Sequence, residues 1–283
     1  SSLDYGTALW QATVNDGNDP STIRFYNYDW NYDHNGVPVL NKVTPVTWLD
    51  SANGMRPSNT DWFEAAGRTG LQQNHQITIS GGSEKLRSLF SANYYNNQGT
   101  QIYTFFKRLA LRFNNEYTML NNRLKIGENL TITHLRMREA NYNYDALVMP
   151  PNIPVRTETG MWGGVAMNLG MDDFWNPVLS LTVNKDNIPQ FAKILGNIYA
   201  ELKILDNLTF KSQYGIDYSN WNERNIDATW KSAGGKSDVI SGVSNIQWTD
   251  VGQTLSNTLT YNLSKGEHNL DVLGGIETFK FRT

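Results

Sequence analysis

From Phe106 to Leu135 the chain reads FKRLALRFNNEYTMLNNRLKIGENLTITHL, two long runs that alternate apolar and polar residues on either side of Asn121-Asn122. In the first run Leu109, Leu111, Phe113 and Tyr117 share one side, and Arg108, Arg112, Asn114 and Glu116 share the other. In the second, Leu124, Ile126, Leu130 and Ile132 alternate with Lys125, Asn129, Thr131 and Thr133. The pattern predicts a hairpin with a two-residue turn. Strands this long, apolar on one face and rich in charge and amide on the other, suit a wall between lipid and a water-filled lumen. Sandwich strands are usually shorter.

The device recurs along the chain. Ile198 to Ile204 and Leu208 to Tyr218 alternate about Asp206-Asn207, and Leu255 to Leu263 and Leu270 to Ile276 flank a turn at Ser264 to His268. His75 to Ser80 and Leu86 to Asn96 form another pair about residues 81–85, which brings the expected strands to eight. Connection lengths alternate too. The turns just named are short, whereas Gln98 to Thr104, Glu139 to Leu195, Glu223 to Gln253 and everything before His75 are longer. Short and long ends alternate where one barrel rim faces the periplasm and the other faces outward. The expected organisation is therefore a segment 1–74, outside the cell and carrying a short helix at Leu3 to Val14, followed by barrel strands over 75–283 with long outer loops at 139–195 and 223–253.

Composition narrows the alternatives. No apolar run approaches the roughly 20 residues of a membrane-spanning helix, and a mean hydropathy of -0.50 does not speak against a barrel, whose lipid face is hidden in alternation. A net charge of -3 leaves no footprint for nucleic acid. The absence of cysteine excludes disulfides, thiolate metal sites and cysteine nucleophiles. His34, His75, His134 and His268 are scattered, and neither GxSxG nor HExxH occurs; no enzyme, cofactor or metal is expected. Ser1-Ser2-Leu3-Asp4 lacks the basic and apolar regions of a signal peptide, and the chain stops at Phe281-Arg282-Thr283 inside or just after a strand. An internal piece of a longer polypeptide is expected, the rest supplying the strands that cover two open edges.

Several motifs resemble the SusC/RagA family of TonB-dependent outer-membrane transporters of Bacteroidetes. They are Asn59-Thr60-Asp61-Trp62-Phe63, Arg68-Thr69-Gly70-Leu71, Asn74-His75-Gln76-Ile77-Thr78-Ile79-Ser80-Gly81-Gly82-Ser83, Asn93-Tyr94-Tyr95-Asn96-Asn97-Gln98-Gly99, Asn122-Arg123-Leu124-Lys125-Ile126-Gly127-Glu128-Asn129-Leu130 and Gly196-Asn197-Ile198-Tyr199. The resemblance implies a plugged barrel of about 22 strands, in outer-membrane lipid, that imports oligosaccharides or peptides with energy delivered through TonB. It also implies a SusD-like lipoprotein over the outer face. The plug and the TonB-contacting segment lie outside this chain.

Candidate contacts come from the loop 139–195, where Tyr142, Tyr144, Trp162, Asp172, Asp173 and Trp175 combine aromatic faces with carboxylates. Such groups stack on rings and hydrogen-bond hydroxyls; they serve equally to pack the loop or to meet the lipoprotein cap. Asn15-Asp16-Gly17-Asn18-Asp19 has calcium-type oxygens without a known loop spacing, and reads as a turn. Tyr94, Tyr95, Tyr103, Phe105, Phe106, Tyr218 and Trp221, near strand ends, read as an interfacial girdle. Glu128 breaks the pattern, since alternation puts it on the lipid side between Ile126 and Leu130; a position near the short turn, or a bulge at Gly127, would relieve it. A soluble or surface all-β glycan-binding module stays open as the alternative. In that case the apolar band from Leu109 to Ile132 would be buried against a second sheet.

Overall fold

The computed structural model describes residues 1–283, the side chain of Asn168 excepted. Its main element is one antiparallel sheet of eight strands, each paired with its neighbours in chain order. Before it come α1 (Ser2–Asn15), the hairpin β1 (Tyr26–Tyr32) and β2 (Pro38–Pro45), and α2 (Trp62–Ala66). The sheet then runs through β3 (Gln72–Gly82), β4 (Leu86–Gln98), β5 (Phe105–Met119) and β6 (Leu124–Arg138). The helices α3 (Asn143–Val148) and α4 (Pro177–Val183) follow, then β7 (Gln190–Leu205) and β8 (Leu208–Asp227). A small ladder of β9 (Trp230–Lys231) with β10 (Ser237–Asp238) precedes the last two wall strands, β11 (Gly242–Lys265) and β12 (His268–Arg282).

Register carries the two-faced reading across the whole sheet. Ile77, Ala92, Leu111, Ile132, Ile194, Tyr218 and Val251 are paired in sequence from β3 to β11 and form one apolar row. One residue along each strand, Thr78, Ser91, Arg112, Thr131, Leu195, Asp217 and Gly252 form a mostly polar row on the opposite face. Cross-strand partners share a face, so the alternation seen in one hairpin becomes a property of the wall. The wall strands make their extensive contacts with sheet neighbours alone, and Ile77, Leu109, Ile132, Ile198 and Leu259 of the apolar face stay exposed.

Local chemistry sets the ends. Leu120, Asn121 and Asn122 all take positive φ (53°, 52° and 66°), so the β5–β6 connection is 120–123, with Met119 paired to Leu124, longer than the two residues expected. The β7–β8 turn is the expected Asp206-Asn207, closed by Leu205 and Leu208. A larger difference concerns 223–253. β8 continues to Asp227 and β11 starts at Gly242, with Glu223 paired to Ile246, so the connection proper is 228–241. Glu128 faces the apolar side, as alternation requires, and there is no register shift at Gly127. Asn115 donates to its Oε1 and accepts from the Ser88 hydroxyl. Gly127 instead faces the polar side, where a Cβ would collide with the ring of Tyr199, whose hydroxyl donates to Glu116 Oε2 at 2.9 Å.

The buried core lies beyond the sheet, at its long-connection end. Phe25, Tyr26, Leu49, Met55 and Trp62 pack with Ala146, Met149, Ile153, Val165 and Met171, so the segment before β3 and the connection 139–189, which ends where β7 starts at Gln190 rather than at the expected 195, share one interior. Pro150 and Pro151 explain part of the join. With no N–H on either proline, the turn 150–153 offers carbonyls, and these accept from Trp62 Nε1 (3.1 Å), Thr60 N (2.8 Å), Thr60 Oγ1 (2.7 Å) and Ser58 N (2.9 Å). α1 forms as expected, opened by a capping box between Ser1 and Asp4, and Tyr26 ties it down by donating to Ser2 O at 2.6 Å.

Candidate functional site

Arg138 closes β6 and fixes what lies above it. It is 4% exposed, and its Nη2 and Nε donate to Leu181 O (2.8 Å) and Asn184 O (2.9 Å) at the end of α4. A cation at a helix C-terminus meets carbonyls that lack intrahelical donors, so this contact welds the 139–189 connection to the wall. α4 is opened from the other end by Asn176, whose Oδ1 accepts from Val178 N and Leu179 N while Nδ2 donates to Val155 O and Gly163 O.

The six loop residues singled out from sequence do not converge on one point. Trp162 is 9% exposed and packs under the Arg156 guanidinium, 3.5 Å above its ring; there it is a packing residue. Asp173 and Trp175 meet around Lys236, which pairs with the Asp173 carboxylate, donates to Phe174 O at 3.2 Å and lies 4.6 Å over the Trp175 ring. Burial holds the Lys236 ammonium below its usual pKa. Trp230 stands edge-on to Trp175 at 5.6 Å, so this cluster joins the 139–189 connection to the β9–β10 ladder. Asp172 is exposed and near Tyr5, whose pKa is raised by burial and then by that charge. Tyr142 borders a cleft at the top of the wall, and Tyr144, 70% exposed, points away from the core. No sequence signal marks Lys236, because nothing local distinguishes it from a solvated loop lysine.

The register splits the expected girdle in two. Tyr94, Phe105 and Tyr218 take the apolar face, but Tyr95, Phe106 and Trp221 take the polar one. Near the long-connection end the polar face carries the row Asn74, Tyr95, Arg108, Leu135, Phe191, Trp221 and Trp248. Trp221 and Trp248 stack with ring planes 2° apart and centroids at 6.1 Å, and Phe191 leans on both. Tyr95 meets Phe106 edge-on at 5.9 Å and carries Arg108 5.9 Å over its ring. The signal for this belt was present, since Phe106 has the parity of Arg108 and Arg112; position near a strand end hid it.

No family model matches the chain. It is 27% identical to TonB-dependent receptor P3 of Formosa agariphila, across 77% of this chain and 22% of that receptor. TonB-dependent receptor P26 of the same organism is 23% identical, across 80% of this chain and 23% of its own length. Among solved structures, the RagAB peptide importer in its open-open state aligns with a TM-score of 0.67 and 23% identity, over 81% of this chain and 26% of that one. The closed-closed state gives a TM-score of 0.64 and 22% identity, over 80% and 26%. The chain thus spans between 22% and 26% of the length of the relatives it matches. Sequence and fold agree with the motifs: this chain is similar in sequence to TonB-dependent receptors and has the fold of a stretch of the β-barrel wall of the RagAB importer.

Proposed function

We propose that the full-length protein is an outer-membrane transporter, energised through TonB, that imports oligosaccharides or peptides beneath a SusD-like surface lipoprotein. The observation that carries this reading is the apolar row crossing seven consecutive strands, Ile77 to Val251, with a polar face behind it and all the long connections at one end. A wall of this kind needs lipid on one side and water on the other. The alternative of a soluble binding module would need a second sheet over that row, and none of the described elements supplies one. The similarity to receptors named TonB-dependent, and to a peptide importer, supports the energy source and the broad substrate range. Of the loop residues, Tyr142, Tyr144, Asp172 and Trp175 are then contacts for substrate or cap, with Asp173 holding Lys236 against Trp175.

Energised uptake is the direct test. Cells expressing the full-length protein and its lipoprotein should accumulate substrate only when TonB is present, and equal accumulation without TonB would refute the proposal.

Orientation gives a second expected result. With no native thiol, single cysteines report position cleanly. Gly163 and Gly234 are unsuitable sites, because a Cβ would collide with the carbonyl of Pro154 or of Val165. Leu147 and Val239, 71% and 77% exposed, are better. L147C and V239C should react with an impermeant maleimide on intact cells, and N122C should react only after the outer membrane is opened. The reverse pattern would put the long connections in the periplasm.

A further inference from the structure

Two clefts open at the long-connection end of the wall and share residues 138–141 as a partition. One, of 910 Å³, is bordered by Tyr95, Asn97 and Phe106; the other, of 440 Å³, by Met137, Trp221 and Glu223. Arg138, Glu139, Ala140 and Asn141 border both. The partition is rigidly held, since Arg138 is anchored on α4 as described. The remaining terminal nitrogen of Arg138, Nη1, is buried without a partner among the described residues. Glu223 is likewise fixed, accepting from Trp221 Nε1 (3.1 Å) and Asn225 Nδ2 (3.0 Å).

We propose that these clefts form a subsite for two neighbouring rings of an uncharged oligosaccharide, one on each side of the 138–141 partition. The inference rests on the transport reading above and narrows its substrate class. The first cleft borders the pair Tyr95 and Phe106 and the second borders Trp221, which Trp248 backs by stacking; each offers a flat apolar surface to the C–H face of a sugar ring. Hydroxyls both donate and accept, and the lining offers both complements: the unpaired Arg138 nitrogen and the Asn97 and Asn141 amides as donors, Glu139 and Glu223 as acceptors.

Charge and strand pairing argue against the other classes. An acidic ligand would meet the Glu139 and Glu223 carboxylates, neither of which has an ion-pair partner among the described residues. A cationic ligand would meet the like charge of the Arg138 guanidinium, which borders both clefts. An extended peptide is commonly held by pairing its main chain to a free strand edge, but β4, β5, β6 and β8 are each paired on both sides.

The test uses the full-length transporter with its lipoprotein, in detergent, and a panel of neutral hexasaccharides of glucose, xylose, mannose and galactose. Hexagalacturonate and hexa-alanine complete the probes. At least one neutral hexasaccharide should bind, changing tryptophan fluorescence. Y95A and W221A should each weaken it about tenfold or more through loss of a stacking face, W221F should restore most of the affinity, and Y94A, one residue away on the opposite face, should leave it unchanged. Variants are compared only where they keep the heat-modifiable mobility of the folded barrel. Failure of every neutral sugar to bind, tighter binding of hexagalacturonate or hexa-alanine, or wild-type sugar affinity in both Y95A and W221A would overturn the proposal. Uptake of the bound sugar without TonB would remove the transport reading while supporting the subsite, so the two failures are separable.

Discussion

Replacing Leu111 or Phe113 with Arg is expected to block assembly of the folded barrel, whereas Thr131→Arg is expected to leave most of it intact. Leu111 lies in the middle of the apolar row, between Ala92 and Ile132. Phe113 is one step along, with its ring 5.1 Å from that of Phe90 and Leu130 as its other partner. A cation placed on the lipid face near the bilayer midplane costs roughly 2 to 4 kcal/mol, a large part of the roughly 5 to 15 kcal/mol that holds a typical protein folded. Thr131 sits between Arg112 and Leu195 on the polar face, where a new cation keeps its water and pays only repulsion from Arg112 through a high dielectric. The readout is the fraction of heat-modifiable protein recovered in outer membranes. Equal recovery of L111R and T131R would mean that the faces are assigned the wrong way or that neither meets lipid.

How much of this was legible in the sequence depends on where water lies. Where one face of a barrel wall meets lipid it must be apolar, so alternation at Leu109 to Tyr117 and Leu124 to Ile132 fixed both strand and face. Beyond it both faces meet water and the period disappears while the hydrogen bonds continue. Glu223 to Asp227 and Gly242 to Ile246 are paired residue for residue, yet their polar run Glu223-Arg224-Asn225 reads as loop. The core shared by the segment before β3 and the connection 139–189 was also illegible. It depends on contacts such as Thr60 with Ile153, 93 residues apart, and no local pattern announces them. Trp162 shows the cost for the site. Composition marked it as a binding aromatic, but only packing reveals the guanidinium on its face and the core around it. The polar-face belt is the opposite case, since parity alone separates Tyr95 from Tyr94 and Phe106 from Phe105.

The same division between wall and loops predicts what Arg138→Met will do. Methionine keeps an apolar stem of similar reach but no donor, so Leu181 O and Asn184 O lose the guanidinium that meets them at 2.8 and 2.9 Å. Hydrogen bonds to a charged group contribute about 1.5 to 3 kcal/mol each, and here the acceptors close α4 inside the connection rather than in the sheet. The loss should therefore open the region 139–189 without unfolding the wall, whose ladders β5–β6 and β6–β7 do not use the Arg138 side chain. Limited proteolysis of the full-length protein in detergent should show new cuts between Glu139 and Pro189 while heat-modifiable mobility stays at the wild-type level. Lys236→Met is the comparison. Its partner Asp173 is 61% exposed, so screening by water leaves that pair worth little, and its loop should resist protease far better than that of R138M. Loss of heat-modifiable mobility in R138M together with the new cuts would show instead that connection and wall fold as one cooperative unit, with Arg138 a determinant of the barrel itself.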